Sequence, residues 1–371
     1  EFHDDPLRFC QLFLVEYRLR RLLRKPPGIL HLYLKQIYYN INDDSFIDNL
    51  PSNQIRSICL DSKNLLWIGT DEGLCRFDGN EFKTYTEKDG LLGKNIWAIA
   101  EDKDGNLWIS SYRQGLNKFD GINFTHFTKE DGLAGNTIRT LSVNDSNHIL
   151  IGCEYTGLSI YRNNQFESFP VIGKEDKRGI GVQIMDFFIK NGNQYFMTFT
   201  HGLYKINNTN GYSLEKINPF GGIQYIEDND TYLYLTGGGI FTGNTKEELD
   251  YIDVDNVEKV LSRDIIWDSE KIDDNIYLGA WNVNNAGGGL FRWSNNKLEK
   301  LNSLYGIESN MVWALEYDEA SKILWICTLD RGLYSIDFSL PIKHISYKLF
   351  GHAEGSGDHR YDDIRVIDVR R

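Results

Sequence analysis

Leu66-Trp67-Ile68-Gly69-Thr70-Asp71-Glu72-Gly73-Leu74-Cys75-Arg76-Phe77-Asp78 reads as a strand, a tight loop and a second strand. The stretch recurs. Leu107-Trp108-Ile109-Ser110 leads to Gly115-Leu116-Asn117-Lys118-Phe119-Asp120, and Leu324-Trp325-Ile326-Cys327-Thr328 leads to Gly332-Leu333-Tyr334-Ser335-Ile336-Asp337. A fixed repeat of this length indicates a solenoid or a ring of similar sheets, so it is settled before anything else. The glycine opening the second strand is the anchor: Gly73, Gly115, Gly157, Gly202, Gly239, Gly289 and Gly332, at spacings of 42, 42, 45, 37, 50 and 43 residues.

Each anchor has the same surroundings. A strand of the type Asn53-Gln54-Ile55-Arg56-Ser57-Ile58 comes first, then a turn such as Asp104-Gly105-Asn106. The Leu-Trp-Ile strand, a variable loop and the glycine strand follow, and an outer strand such as Phe82–Tyr85 or Phe124–Phe127 closes the unit. Four antiparallel strands cannot bury both faces alone, whereas sheets packed about an axis can. The predicted fold is therefore all-β: a seven-bladed β-propeller of four-stranded antiparallel blades over residues 34–338. Trp67, Trp108 and Trp325, with Tyr234 and Tyr277 in the same place, are expected to pack between blades. To close the ring, Gln36–Asn40 is expected to complete the seventh blade, with Ile342–Tyr347 competing for the slot.

The flanks read differently. Residues 1–33 hold Arg18, Arg20, Arg21, Arg24 and Lys25 among helically spaced Leu12, Val15, Leu19, Leu22 and Leu23, ended by Pro26-Pro27-Gly28. This is a basic segment with a helical pattern, suited to docking. Residues 339–371 read as a tail or linker. The chain begins Glu-Phe without a signal peptide pattern, so a piece of something longer is expected.

Composition bounds the function. The 371 residues contain 34 Gly, 7 Pro and 13% aromatics, which suits short strands and tight turns. A net charge of −13 argues against nucleic acid as a partner. Five cysteines form no CxxC pair, and no run of 18 apolar residues occurs. No cofactor or metal is expected, because no ligand spacing appears.

At this point the residues carry a family likeness. Leu50-Pro51-Ser52-Asn53-Gln54-Ile55, Leu66–Thr70, Gly73-Leu74, Phe77-Asp78-Gly79 and Asp89-Gly90-Leu91 together resemble the two-component regulator propeller repeat. The resemblance implies the extracytoplasmic (periplasmic) sensor of a hybrid histidine kinase, taking an oligosaccharide or other polar small molecule. Signalling would then pass to a domain or partner protein not in this chain, and a homodimer is left open. Two alternatives stand beside it: a propeller lyase or hydrolase, and a protein-interaction scaffold.

A ligand is expected at the channel mouth, where the loop between second and third strands meets the start of the innermost strand. The loops supply Asp71-Glu72, Tyr112 and Arg113, Glu154 and Tyr155, His201, Gly237-Gly238, Trp281 and Asn282, and Asp330 and Arg331. The innermost strands add Arg56, Trp97, Arg139, Gln224, Trp267 and Trp313. Aromatic rings with Arg, Asn and carboxylates suit a sugar, and the arginines alone suit a carboxylate or sulfate. For the enzyme reading, His201 would act as general base beside Glu154 or Asp330. Asp102-Lys103-Asp104-Gly105 resembles an Asp-box turn, a structural device.

Overall fold

The computed structural model describes residues 50–171, 182–208, 211–228, 231–237, 239–244, 264–281, 287–295, 297–339 and 346–349. The basic N-terminal segment, the strand expected at Gln36–Asn40 and Asn282 lie outside the described residues. No helix among those described is long and apolar enough to cross a membrane.

Seven antiparallel sheets form a seven-bladed β-propeller. Blade 1 is β1 (Ile55–Leu60), β2 (Leu66–Thr70), β3 (Leu74–Phe77) and β4 (Phe82–Tyr85). Blade 2 is β5 (Ile96–Glu101) to β8 (Phe124–Phe127), and blade 3 is β9 (Ile138–Val143) to β12 (Gln165–Pro170). Blade 4 is β13 (Ile184–Lys190) to β16 (Ser213–Asn218). Blade 5 shows β17 (Gln224–Asp228), β18 (Thr231–Thr236) and β19 (Gly239–Asn244) among the described residues. Blade 6 is β20 (Ile265–Ile272) to β23 (Lys297–Lys300), and blade 7 is β24 (Val312–Asp318) to β27 (Ser346–Leu349). The first strand of every blade touches the first strand of the next, and β24 touches β1, so the inner strands make a closed ring.

The anchor glycines are required twice over. Gly115, Gly157 and Gly202 have φ of 121°, 127° and 107°. A Cβ there would come 2.4, 2.3 and 2.2 Å from the carbonyl oxygens of Phe127, Phe169 and Asn218 on their own outer strands. Left-handed backbone and close backbone approach both favour glycine.

The expected aromatic packing between blades is present at four blade junctions. Trp67 of blade 1 lies 5.9 Å, ring to ring, from Phe119 of blade 2. Trp108 of blade 2 lies 4.9 Å from Tyr161 of blade 3, and Tyr277 of blade 6 lies 5.4 Å from Phe338 beside blade 7. Trp325 of blade 7 lies 6.0 Å from Phe77 of blade 1. Two of these indoles are also bonded. Trp67 Nε1 donates to Asp61 Oδ2 at 2.8 Å, and Trp108 Nε1 donates to Asp102 Oδ2 at 2.9 Å. The other oxygen of each aspartate accepts backbone N–H groups of the turn between first and second strands. One carboxylate thus fixes a turn and orients the tryptophan six residues later.

The expectation for closure is corrected. The outer slot of blade 7 is filled by Ser346–Leu349, whose Leu349 pairs with Leu333 and Ser346 with Ile336. Blade 1 carries its own four consecutive strands. Blades 7 and 1 are joined by packing and by two bonds: Gly332 N to Asn53 O at 3.1 Å, and Leu60 N to Glu316 Oε1 at 3.2 Å.

Buried carboxyls tie inner strands together elsewhere. Asp268 accepts from Gln224 Nε2 at 2.9 Å, Ser269 N at 2.9 Å and Leu315 N at 2.8 Å, linking blades 5, 6 and 7. Burial holds Asp268 up at about 6, Asp186 and Glu316 at about 7, and Glu270 at about 9. A carboxyl raised on folding stabilises fully below its ordinary range, and that stability is lost as pH rises through the folded value. Asp102 has the opposite sign: burial raises it, but the bonds from Trp108 and Asn106 prevail and lower it, so its contribution is lost as pH falls. Thermal stability is therefore expected to peak near pH ~5, just above the ordinary carboxyl range, and to decline by several degrees toward pH ~9. Glu270→Gln should flatten the alkaline limb in a melting series. A limb equally steep in that variant would remove Glu270 from the account.

Candidate functional site

The site begins with an irregularity in the inner strands. In six blades the register between first and second strands slips by one residue near the start of the first: between Ile55 and Ser57, Ile96 and Ala98, Ile184 and Asp186, Ile266 and Asp268, and Val312 and Ala314. In blade 3, Cys153 pairs with Ile138 and Gly152 with Thr140. The skipped residues are Arg56, Trp97, Met185, Trp267, Trp313 and Arg139. A bulge leaves its extra residue out of the ladder and re-aims the side chain. The residue before each is a fully buried anchor: Ile55, Ile96, Ile138, Ile184, Ile266 or Val312, none above 1% exposed.

The loop between second and third strands is fastened to the same place. Asp71, Tyr112, Glu154, Phe199 and Leu329 donate backbone N–H bonds to the carbonyls of Gln54, Asn95, Thr137, Gln183 and Met311. Each acceptor immediately precedes an inner strand's buried anchor. The predicted meeting of loop and inner strand is thus built by one repeated hydrogen bond. Arg113 and Tyr155, both loop tips, take left-handed backbone with φ of 62° and 70°.

Together these residues form a belt over neighbouring blades. Trp267 and Trp313 stack at 4.3 Å with planes 17° apart, and Trp281 lies 6.1 and 5.9 Å from them. The Arg56 guanidinium sits 5.5 Å from the Trp313 ring centre and 5.2 Å from that of Trp97. Trp97 stacks on Tyr112 at 4.1 Å and 10°, and its Nε1 donates to Asn95 Oδ1. Arg113 lies 5.1 Å from the Tyr112 ring. Arg139 lies 4.8 Å from the Trp97 ring and donates from Nε to Glu154 Oε1 at 3.1 Å, an oxygen that also accepts from Gln183 Nε2. The chain of contacts runs through blades 6, 7, 1, 2, 3 and 4. The three tryptophans, Trp97, Tyr112, Arg56 and Arg139 are half-buried, while Arg113 and Tyr155 are exposed.

The belt also collects polar atoms that lack partners. Arg56 Nε, Asp71 Oδ1, Glu154 Oε2, Trp267 Nε1 and Trp281 Nε1 are buried without a hydrogen bond. Glu154 is only 4% exposed. Leaving a buried polar atom unpaired costs about 1–3 kcal/mol, and these five belong to the inner strands and loops of the mouth. Burial lowers the Arg56 pKa most; Asp71 opposes and Arg139 adds to the lowering.

Other predicted residues are engaged in local bonds. Gln224 follows a buried isoleucine as its counterparts do, but β17 pairs with β18 in unbroken register and its amide serves Asp268 and Ser269. His201 bonds Thr200 through Nδ1 at 2.8 Å. Asp330 accepts from Ser309, and Arg331 lies 3.9 Å from Asp330. Sequence reasoning missed Gln183 and Asn95, which hold Glu154 and Trp97. Their signal was their place, one residue before each inner strand's buried anchor. No group of metal-ligating side chains occurs among the described residues.

A closed ring of seven sheets, with the second-to-third-strand loops fastened beside the starts of the inner strands, defines a seven-bladed β-propeller. The two-component regulator propeller family model matches residues 49–72 and 90–113, within the first two repeats. The fold is similar to the extracellular domain of the hybrid two component system BT4673 from B. thetaiotaomicron. The TM-score is 0.57 at 19% identity, covering 78% of this chain and 41% of that one. PorZ, a surface component of the type-IX secretion system of Porphyromonas gingivalis, gives 0.59 at 14% identity, covering 78% and 47%. Virginiamycin B lyase from Staphylococcus aureus gives 0.53 at 13%, covering 74% and 92%. At these identities the likeness is one of fold. This chain spans about two fifths of the BT4673 domain's length. No curated protein matches the sequence.

Proposed function

We propose that this propeller is the ligand-sensing part of an extracytoplasmic two-component receptor, and that its mouth binds an oligosaccharide. One observation carries the reading: half-buried indoles and unpartnered buried donors and acceptors converge on a single belt. A sugar offers apolar ring faces to the indoles and hydroxyls that both donate and accept. The acceptors Asp71 and Glu154 and the donors Arg56, Trp267 and Trp281 need such a two-sided partner. The family's repeats and the two-component neighbour support sensing over catalysis.

The test is a thermal-shift and calorimetric panel of neutral and acidic oligosaccharides on the purified chain. A binder at 100 times its Kd is expected to stabilise by about 2.7 kcal/mol, a rise of several degrees. A broad panel with no stabilisation by any member would sink the reading.

A further inference from the structure

We propose that the oligosaccharide carries an anionic group, a carboxylate or sulfate, and that Arg56 receives it. The inference rests on the sensing reading above and names its ligand more closely.

The four arginines of the mouth are not equivalent. Arg139 is neutralised by Glu154 at 3.1 Å, and Arg331 has Asp330 at 3.9 Å. Arg113 is exposed to water. Arg56 is half-buried, forms no ion pair among the described residues, and has a buried Nε without a partner. It is held instead by rings, between Trp97 at 5.2 Å and Trp313 at 5.5 Å. Such contacts hold a guanidinium through its charge and flat face. They use none of its five in-plane N–H groups, whose fork matches a carboxylate or sulfate edge. A cation so placed is oriented but not satisfied.

A bare anion would not complete the mouth. Asp71 Oδ1 and Glu154 Oε2 are unpartnered acceptors in the same belt, and both repel a simple anion. They call for donors, which hydroxyls supply. A molecule with one anionic edge and several hydroxyls answers both requirements, as a uronic acid or sulfated sugar does. Trp267 and Trp313, stacked beside Arg56, then take the ring of the adjoining unit. The protein's overall charge of −13 works against anion capture at long range, so the selectivity must lie in this local cation.

The experiment uses charge-matched pairs on the full chain: oligouronates against their methyl esters, and sulfated oligosaccharides against their desulfated forms. Binding is measured by calorimetry at low and high salt. For one pair, the anionic member should bind at least 10-fold more tightly, and the margin should shrink with salt. Arg56→Gln should close the gap between the two members, and Arg56→Lys should restore only part of it, with melting curves checking that both variants fold. The uronate and sulfate arms separate the two sources of charge. Equal affinity within every pair, or a gap surviving in Arg56→Gln, overturns this inference and leaves the sensing reading standing. Failure of every probe, charged and neutral, overturns both.

Discussion

Trp313→Ala is expected to weaken binding of the best oligosaccharide from the panel by about 100-fold, or about 3 kcal/mol, while the protein stays folded. Trp313 is the junction of the belt: it stacks on Trp267, lies 5.9 Å from Trp281, and gives Arg56 one of its two rings. Its loss removes a stacking surface and loosens the guanidinium together. The fold should tolerate the change because the side chain is half-buried and its residue stands outside the strand ladder. The buried contact next to it belongs to Val312, which stays. Calorimetry and a melting curve on the same sample decide the matter. Unchanged affinity in a folded Trp313→Ala protein would mean the belt is not the binding surface.

Trp108→Ala should do the reverse, crippling stability rather than recognition. The ring is 1% exposed and wedged against Phe127 of its own blade and Tyr161 of the next. Removing a buried indole costs about 3–5 kcal/mol, a fall in melting temperature on the order of 10 °C for a domain of this size. Trp108→Phe separates the two contributions. It keeps most of the apolar volume but removes the N–H that meets Asp102, and should cost about 1–3 kcal/mol. If Trp108→Phe proved as damaging as Trp108→Ala, the bond to Asp102 would outweigh the packing.

The architecture was legible because it is periodic. Seven glycines recur every 37 to 50 residues, and at four of them, Gly73, Gly115, Gly157 and Gly202, an outer strand's carbonyl comes too near for a Cβ, a constraint that sequence reports directly. Closure was less legible. Gln36–Asn40 and Ile342–Tyr347 are both short segments rich in Ile and Tyr, and composition alone does not choose between two candidates for an edge slot. The bonds from Trp67 to Asp61 and from Trp108 to Asp102 were not read from the sequence, where Asp102 stood only as part of a turn.

The mouth was half legible. Arg56, Trp97, Arg139, Trp267 and Trp313 could be aligned from the repeat. The bulges could not, because a bulge is a count of two residues against one, and it exists only once both strands are paired. Gln224 shows the difference: alignment puts it with the others, while unbroken register turns its amide to Asp268. Nor could sequence tell a spent arginine from a waiting one. Arg139 and Arg56 occupy matched positions with a loop carboxylate near each, but Glu154 bonds Arg139 whereas Asp71 forms no ion pair with Arg56.

The skipped residue in each inner strand has a consequence for how this surface can change. A substitution there alters what the ring presents without shifting the pairing of any strand, because that position carries no ladder partner to lose. The six positions therefore behave as sockets, exchangeable one at a time at little cost to the scaffold. Mutational drift, or a designer's library confined to residues 56, 97, 139, 185, 267 and 313, could move the receptor from one ligand to another in small steps.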